Sequence, residues 1–352
     1  MGRRFEPVRA HDVFIVAYYV GGGLRNSVFF INPFSMLLGI AATKRDSIFY
    51  YCYNENDFRV KGRRSNETQR IVESIADSLN LELRLAEPIP RQFDFLKGDL
   101  VDPYLLGSRI FPKGEIKPDL IGWNADLYLK FSNFFRFSYP FKSYKIIKAW
   151  KEAECFKYYN DLVLHPAITS KSLIADNIIG VRREDWNLLI EDLTSKQNFY
   201  ESFFSKYTQR ELTLILLPHP TSTSINCLIS ELANELITIQ SIKQVIVKEH
   251  PNADSKQTNF FNFKELTRSS TYFFEPKEMP AEILVNYFEK NFTLGVASGA
   301  HVQNPPERAF ILDSKIDEES KFWSLYCSKF YSLTGHKIES KAQISKRIGS
   351  LP

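Results

Sequence analysis

The fold of this chain is decided by four segments between residues 212 and 304: Leu212-Thr-Leu-Ile-Leu-Leu-Pro-His-Pro220, Val245-Ile-Val-Lys-Glu-His-Pro251, Met279-Pro-Ala-Glu-Ile-Leu284 and Leu294-Gly-Val-Ala-Ser-Gly-Ala-His301. Apolar runs in the first, second and fourth predict buried strands, whereas the third opens a helix and Cys227 to Ile239 predicts another. Strands that alternate with helices indicate a parallel α/β sheet. Ligands of such sheets bind beyond the carboxyl ends of the strands. We therefore expect His219, His250 and Ser298 along one edge, with Glu282 in the helix between two of them.

Three of these segments, in this order, resemble the nucleotide-binding half of bacterial sialyltransferases. The similarity is to the α-2,8-polysialyltransferase-like and lipooligosaccharide sialyltransferase families, which carry Lys-x-His-Pro, Pro-x-Glu and a Ser-rich strand end. It covers about a quarter of the chain well and the N-terminal half only in outline. With the strand and helix patterns of both halves, we predict an α/β protein of the GT-B type, in which two Rossmann-like domains face a central cleft. Residues 1–205 would form the acceptor and base domain, and residues 206–352 the domain that binds a CMP-sugar donor.

Transfer of sialic acid from CMP requires hydrogen-bond donors for the leaving phosphate and contacts that hold the nucleoside. His250 is predicted to donate to the phosphate, with Lys248 adding positive charge; a histidine that only ends a strand is the alternative. The resemblance implies that Glu282 accepts both ribose hydroxyls, although glutamate is also ordinary in a first helical turn. Ser298 is predicted to bind phosphate, and Gly299 allows the backbone to approach closely. The families more often show two adjacent Ser or Thr residues here.

Two further positions stay open between a donor contact and a plain turn. His219-Pro220 ends the first strand of the C-terminal half, so its histidine should reach the same edge as His250. Gly22 lies in a Gly-Gly-Gly run that follows the apolar segment 13–17, a pattern of strand and turn with which a Rossmann-like domain begins. The run lacks the Gly-x-Gly-x-x-Gly spacing of a dinucleotide site.

The general base is the least defined part of the predicted site. The sialyltransferase families carry two acids followed by glycine at a strand end of the N-terminal domain, and this chain has no such triplet. Glu152, at the end of a predicted strand over residues 145–148, is the best positional candidate, and Glu154 is next. Asp126 and Asp119 rank lower. An exposed helix face is the alternative explanation of Glu152.

Composition limits the classes of function. A formal net charge of +4 over 352 residues suits an anionic sugar nucleotide or membrane face but does not indicate nucleic-acid binding. The four cysteines are scattered, which suggests neither a zinc site nor a disulfide framework. We expect a cytoplasmic protein without a signal peptide or spanning segment. The aromatic and basic segment 127–145 leaves open an acceptor cleft, peripheral binding at the inner face of a bacterial inner membrane, or ordinary core.

The sequence thus predicts a metal-independent, inverting glycosyltransferase that moves sialic acid from CMP-sialic acid to a cell-surface glycan such as lipooligosaccharide or capsule. No Asp-x-Asp motif is present, and a donor with one phosphate does not demand Mg²⁺, so no cofactor beyond the donor substrate is expected. Three alternatives remain: a transferase of another CMP-activated acidic sugar such as Kdo, a GT-B-like sugar-nucleotide epimerase, and a non-catalytic partner that binds nucleotide or glycan.

Overall fold

The computed structural model describes residues 26–43, 47–52, 63–86, 92–102, 111–112, 119–121, 178–179, 181, 183–251, 253, 261, 270–314, 331 and 335–352. The chain divides into two compact units, Met1–Phe199 and Tyr200–Pro352. Each unit holds one six-stranded parallel sheet with helices. The predicted α/β class with two parallel sheets is confirmed. The acceptor and donor roles assigned to the two halves stay predictions.

The first unit is built on strands that connect through helices. Its elements are β1 (Ser27–Phe30), α1 (Pro33–Thr43), β2 (Ile48–Cys52), α2 (Arg63–Leu79), β3 (Glu82–Ala86), β4 (Gln92–Phe93), β5 (Leu100–Val101), β6 (Phe111–Pro112), β7 (Asp119–Ile121), β8 (Ile178–Ile179), α3 (Arg183–Ser195) and the first residues of α4 (Gln197–Phe203). The sheet order is β3-β2-β1-β5-β7-β8, and β4 pairs with β6 separately. The central strand β1 is buried, as expected for a strand covered on both faces.

The second unit has the same strand order, and five of its six strands are four or five residues long. They are β9 (Thr213–Leu217), α5 (Thr223–Gln240), β10 (Gln244–Val247), β11 (Ser270–Phe273), α6 (Ala281–Tyr287), β12 (Asn291–Gly295), two short 3₁₀ turns (Gly299–Gln303 and Pro306–Arg308), β13 (Ala309–Leu312), β14 (Ile338–Glu339) and α7 (Lys341–Gly349). The order β11-β10-β9-β12-β13-β14 places β9 in the interior of the sheet. Every residue of β9 is buried, which explains its wholly apolar centre.

Gly295 lets β12 lie against β9 at the end of their shared ladder. A Cβ atom at this position would stand 2.0 Å from the carbonyl oxygen of Leu217, so no side chain fits there. The same carbonyl accepts the Val296 N–H at 3.0 Å. Glycine is therefore needed at the point where β12 delivers the chain to the carboxyl edge of the sheet.

Three elements depart from the sequence predictions. The two-residue strand β5, for which no prediction is made, is part of the first sheet and is held between β1 and β7. The order strand–helix–strand–helix–strand omitted β11, which pairs with β10 in full register. The segment after Gly335, for which no element is predicted, contains β14 and α7. A capping box formed by Ser340 and Gln343 starts that last helix.

Several expectations lie outside the described residues: the strand over 13–17, the strand over 145–148, and the aromatic and basic segment 127–145. Among the helices that the structure describes, none is both long and apolar enough to cross a membrane.

Candidate functional site

The carboxyl ends of β10, β9 and β12 lie side by side, because these strands are parallel neighbours. The chain leaves β9 toward β10 and β11, then returns to pair β12 with the opposite side of β9. This reversal makes the edge between β9 and β12 the topological switch point, where open α/β sheets bind ligands. His219 follows β9, His250 follows β10 and Ser298 follows β12. The structure thus brings these three predicted residues to one edge.

His219 is held rigidly in the turn between β9 and α5. Its Nδ1 accepts the backbone N–H groups of Thr221 at 3.2 Å and Ser222 at 3.0 Å. The Asn226 side chain accepts the His219 N–H at 2.7 Å and donates to its carbonyl at 2.9 Å. Because Nδ1 is an acceptor, the neutral ring carries its hydrogen on Nε2. The turn therefore presents His219 as a donor of fixed orientation.

Lys248 is almost completely buried at the end of β10, with 4 % of its surface exposed. Its ammonium donates to the carbonyl of Glu249 and to the carbonyl of Lys277, each at 2.7 Å. Burial lowers the pKa of Lys248 to about 8, opposed by nearby acids of which Glu282 is the strongest. The lysine charge thus lies inside the unit, bonded to two backbone carbonyls.

Glu282 lies in the first turn of α6 and is buried beside Gly299. A Cβ atom at Gly299 would stand 2.8 Å from Oε1 of Glu282, so the carboxyl lies directly against the glycine backbone. Burial raises the pKa of Glu282, whereas its own backbone N–H and the Lys248 ammonium lower it. The predicted Lys, Glu and Gly residues are therefore neighbours, although they come from three separate segments of sequence.

Ser298 is fixed at its backbone by a tyrosine that sequence reasoning did not select. The Tyr331 hydroxyl accepts the Ser298 N–H and donates to the Ser298 carbonyl, both at 2.7 Å. The Ser298 hydroxyl accepts the Ala300 N–H at 3.3 Å as the cap of the 3₁₀ turn. Its backbone is thus set by the core, while the hydroxyl hydrogen can still be donated.

A buried histidine, His301, fixes the 3₁₀ turn that follows Ser298. His301 is fully buried, with Nε2 donating to the Val296 carbonyl at 3.0 Å and Nδ1 accepting from the Thr293 hydroxyl at 2.9 Å. Burial lowers the pKa of His301 to about 3, so the ring is neutral. His336 lies near it and bonds the Asn304 carbonyl at 2.9 Å. Both histidines are visible in the sequence, His301 after Gly-Ala and His336 after Gly. Only the fold shows which groups their rings bind.

The remaining predicted residues are distributed differently. His250 is exposed at the edge, and its carbonyl accepts the Ala253 N–H at 2.8 Å. Gly22, Glu152, Glu154 and Asp126 lie outside the described residues, so their roles stay predictions. Asp119 begins β7 and therefore lies at the amino end of that strand, away from the carboxyl edge where ligands of such sheets bind.

One acid that the sequence analysis overlooked lies at the corresponding edge of the first sheet. Asp102 directly follows β5 and its N–H donates to the Phe29 carbonyl of β1 at 2.9 Å. The strands β1 and β5 flank the topological switch point of that sheet. Asp102 is fully buried among the residues described. It joins Glu152 as a candidate acid of the first unit.

In the described part of the chain, no three His, Cys, Asp or Glu side chains are grouped so that they could hold a metal ion. The predicted independence from metal stays a prediction.

Comparisons with known proteins add three distant structural likenesses. No family model matches the chain, and no curated protein sequence matches it. A UDP-GlcNAc 2-epimerase from Neisseria meningitidis, solved with UDP-GlcNAc, has 12 % identity and a TM-score of 0.46, covering 92 % of this chain and 96 % of its own. A 2,6-sialyltransferase from Photobacterium sp. JT-ISH-224, solved with CMP and lactose, has 12 % identity and a TM-score of 0.40, covering 88 % and 76 %.

The GT-B domain of a sialyltransferase from Photobacterium damselae has 11 % identity and a TM-score of 0.40, covering 90 % of this chain and 98 % of its own. Likeness of this extent does not define an activity. The chemistry must be inferred from the site residues.

Proposed function

We propose that this protein is a glycosyltransferase that moves sialic acid from CMP-sialic acid to a glycan acceptor, with inversion at the anomeric carbon and without a metal ion. The acceptor class that we propose is a cell-surface glycan such as lipooligosaccharide or capsule. The donor would bind at the carboxyl edge of the second sheet, and the first unit would supply the acceptor contacts and the base.

One observation carries the proposal: Lys248, Glu282 and Gly299 converge beside the switch point of the second sheet. The Glu282 carboxyl lies against Gly299 and is coupled electrostatically to Lys248. These are the residues of the Lys-x-His-Pro, Pro-x-Glu and Ser-Gly segments on which the resemblance to sialyltransferases rests. A donor site built from these three segments requires that they lie close together, and their proximity supports the proposal.

The polar groups at this edge suit a nucleoside monophosphate. A glutamate carboxylate accepts two hydrogen bonds, as the vicinal hydroxyls of a ribose require. The His219 ring presents Nε2–H because its Nδ1 is occupied by two backbone groups. His250 and the Ser298 hydroxyl add further donors for phosphate oxygens, whose negative charge grows as the sugar leaves.

The reaction that we propose is a single displacement. The acceptor hydroxyl oxygen forms a bond to the anomeric carbon of the sialic acid, and the bond from that carbon to the CMP phosphate oxygen breaks with its electron pair. The hydroxyl proton passes to a carboxylate, for which Glu152 and Asp102 are the candidates. CMP leaves as a phosphate monoester, stabilised by the histidine and serine donors.

A ribose-binding carboxylate is equally compatible with a uridine donor, so UDP is the control that distinguishes a UDP-sugar epimerase from our proposal. Calorimetric titration should show that the wild type binds CMP in preference to UDP and GDP. His250→Ala should weaken CMP binding, since one phosphate donor is lost. Binding of UDP in preference to CMP, or no binding of CMP, would overturn the proposal.

A matched pair of variants tests the carboxylate. Glu282→Gln should lower affinity for CMP by about tenfold, the loss expected when a charge-assisted hydrogen bond becomes a neutral one. Glu289→Gln changes an exposed glutamate just after the same helix and should leave the affinity unchanged. Turnover of CMP-sialic acid compared with CMP-Kdo then identifies the sugar. CMP binding without turnover of either donor would leave only the non-catalytic alternative.

A further inference from the structure

A lysine at a nucleotide site is usually assumed to face phosphate, but Lys248 points elsewhere. Its Nζ lies 2.7 Å from the Glu249 carbonyl and 2.7 Å from the Lys277 carbonyl. The side chain is buried almost completely, and two of the three ammonium hydrogens are used by these carbonyls. The positive charge is therefore committed to the backbone of the protein itself.

The two carbonyls belong to segments that carry different parts of the proposed site. The Glu249 carbonyl is in the peptide bond that precedes His250. The Lys277 carbonyl is in the turn that leads through Pro280 into α6, whose first turn holds Glu282. The Lys248 ammonium thus bonds a carbonyl that is 29 residues away in sequence. It joins the peptide before His250 to the turn that leads to Glu282.

Other contacts fix each segment locally. The Phe274 N–H donates to the Val247 carbonyl at 3.0 Å, which continues the β10–β11 ladder, and the Met279 N–H donates to the Pro276 carbonyl at 3.1 Å inside the turn. The Lys277 side chain donates to the Ala253 carbonyl at 3.1 Å, farther along the loop. The Lys248 ammonium joins the peptide before His250 directly to the turn before α6.

We propose that Lys248 is a positioning residue of the nucleotide site: its ammonium joins the peptide before His250 to the turn before α6 and so sets Glu282 against the ribose, without contacting the phosphate. This inference rests on the proposed function, because it gives Lys248 a task in nucleotide binding. Charge-assisted hydrogen bonds to carbonyls are about twice as strong as neutral ones. Buried carbonyls that lose such a partner favour a rearranged backbone.

A comparison of two ligands separates positioning from phosphate contact. CMP and cytidine share the ribose, but only CMP has a phosphate. In Lys248→Met, whose side chain has similar length and no charge, we expect affinity for CMP and for cytidine to fall by the same factor, about tenfold. Lys243→Met, an exposed lysine just before the same strand, should leave both affinities unchanged. A loss confined to CMP would overturn the inference, as would no loss for either ligand.

Hydrogen exchange without ligand tests the connection itself. Amides of residues 277–284 should exchange about tenfold faster in Lys248→Met than in the wild type, while amides of β12 and β13 keep their rates. A general loss of stability would raise exchange in all of these elements. Unchanged exchange in 277–284 would overturn the inference. Absence of CMP binding by the wild type would instead overturn the proposed function, so the two failures are distinguishable.

Wild-type protein gives a further test that does not depend on a variant that folds. Acetylation of lysines, followed by mass spectrometry, should leave Lys248 unmodified both with and without CMP, because its ammonium is enclosed. Lys243 should react in both conditions and serves as the internal reference. Reaction of Lys248 in the free protein together with protection by CMP would identify a phosphate contact and refute the positioning role.

Discussion

Acidification should selectively destabilise the second unit through His301. The folded state holds this ring neutral, with a pKa of about 3, whereas the unfolded chain has the ordinary value of 6.5. Between those values the unfolded chain binds a proton that the folded chain does not, so the free energy of unfolding falls as the pH falls. Stability from this residue is complete above pH 6.5 and is lost progressively toward pH 3.

The magnitude follows from the pKa difference. At pH 5 the solution is one and a half units below the unfolded pKa, and each unit corresponds to about 1.4 kcal/mol. Between pH 7 and pH 5 the second unit should therefore lose about 2 kcal/mol through His301. Because native stability is typically about 5–15 kcal/mol, this loss is measurable.

The assay is native-state hydrogen exchange of the β12 amides, corrected for intrinsic rates at each pH. The His301→Gln variant cannot titrate at this position, so its exchange free energy should change by about 2 kcal/mol less than that of the wild type over the same interval. Amides of β2, in the first unit, report acid effects that do not involve this histidine. Equal pH dependence of β12 exchange in wild type and variant would refute the reasoning.

Three further outcomes are expected. Gly295→Ala should cost about 3 kcal/mol or more, measured by urea unfolding, since its Cβ would overlap a strand carbonyl. Gly299→Ala should displace the Glu282 carboxyl, lowering CMP affinity by about tenfold with little change in unfolding free energy; unchanged affinity in calorimetry would contradict this. Tyr331→Phe should free the Ser298 backbone at a cost of about 1–3 kcal/mol and weaken CMP binding, and binding equal to the wild type would argue against its role.

The second sheet was largely predictable because its strands are continuous apolar runs. The strands β9 and β10 and the helix α5 follow from patterns that depend only on neighbouring residues. The same reasoning placed His219, His250 and Ser298 at one edge, because parallel strands share the direction of their carboxyl ends. Local pattern was therefore sufficient for the frame of the candidate site.

Short elements that depend on pairing with strands distant in sequence were not predictable in this way. The strand β5 has only two residues and exists because β1 and β7 pair with its two sides. The helix α7 is short and polar, although the spacing of Ser340 and Gln343 was a signal for its start. A strand of two residues is too short to show the alternation of apolar and polar residues from which strands are predicted.

Contacts within the site were the least predictable part. The sequence predicts that Lys248 adds positive charge near the phosphate, but it gives no sign that the turn at residues 276–279 offers the ammonium a carbonyl. The support of Ser298 comes from Tyr331, 33 residues away, and from a buried histidine after β12. Such partners are fixed by packing, and packing depends on which distant segments meet.

The reversal of strand order at β9 has a kinetic consequence. Thr213 of β9 pairs with Asn291 of β12, and 291 − 213 gives a separation of 78 residues. Closing a loop of that length costs about 4 kcal/mol of chain entropy by the logarithmic law, and β10 and β11 reduce this cost only if they pair first. Non-local pairing of this kind slows folding. His219 and Ser298 meet only when that pairing is complete, so nucleotide binding would also report that the second unit has finished folding.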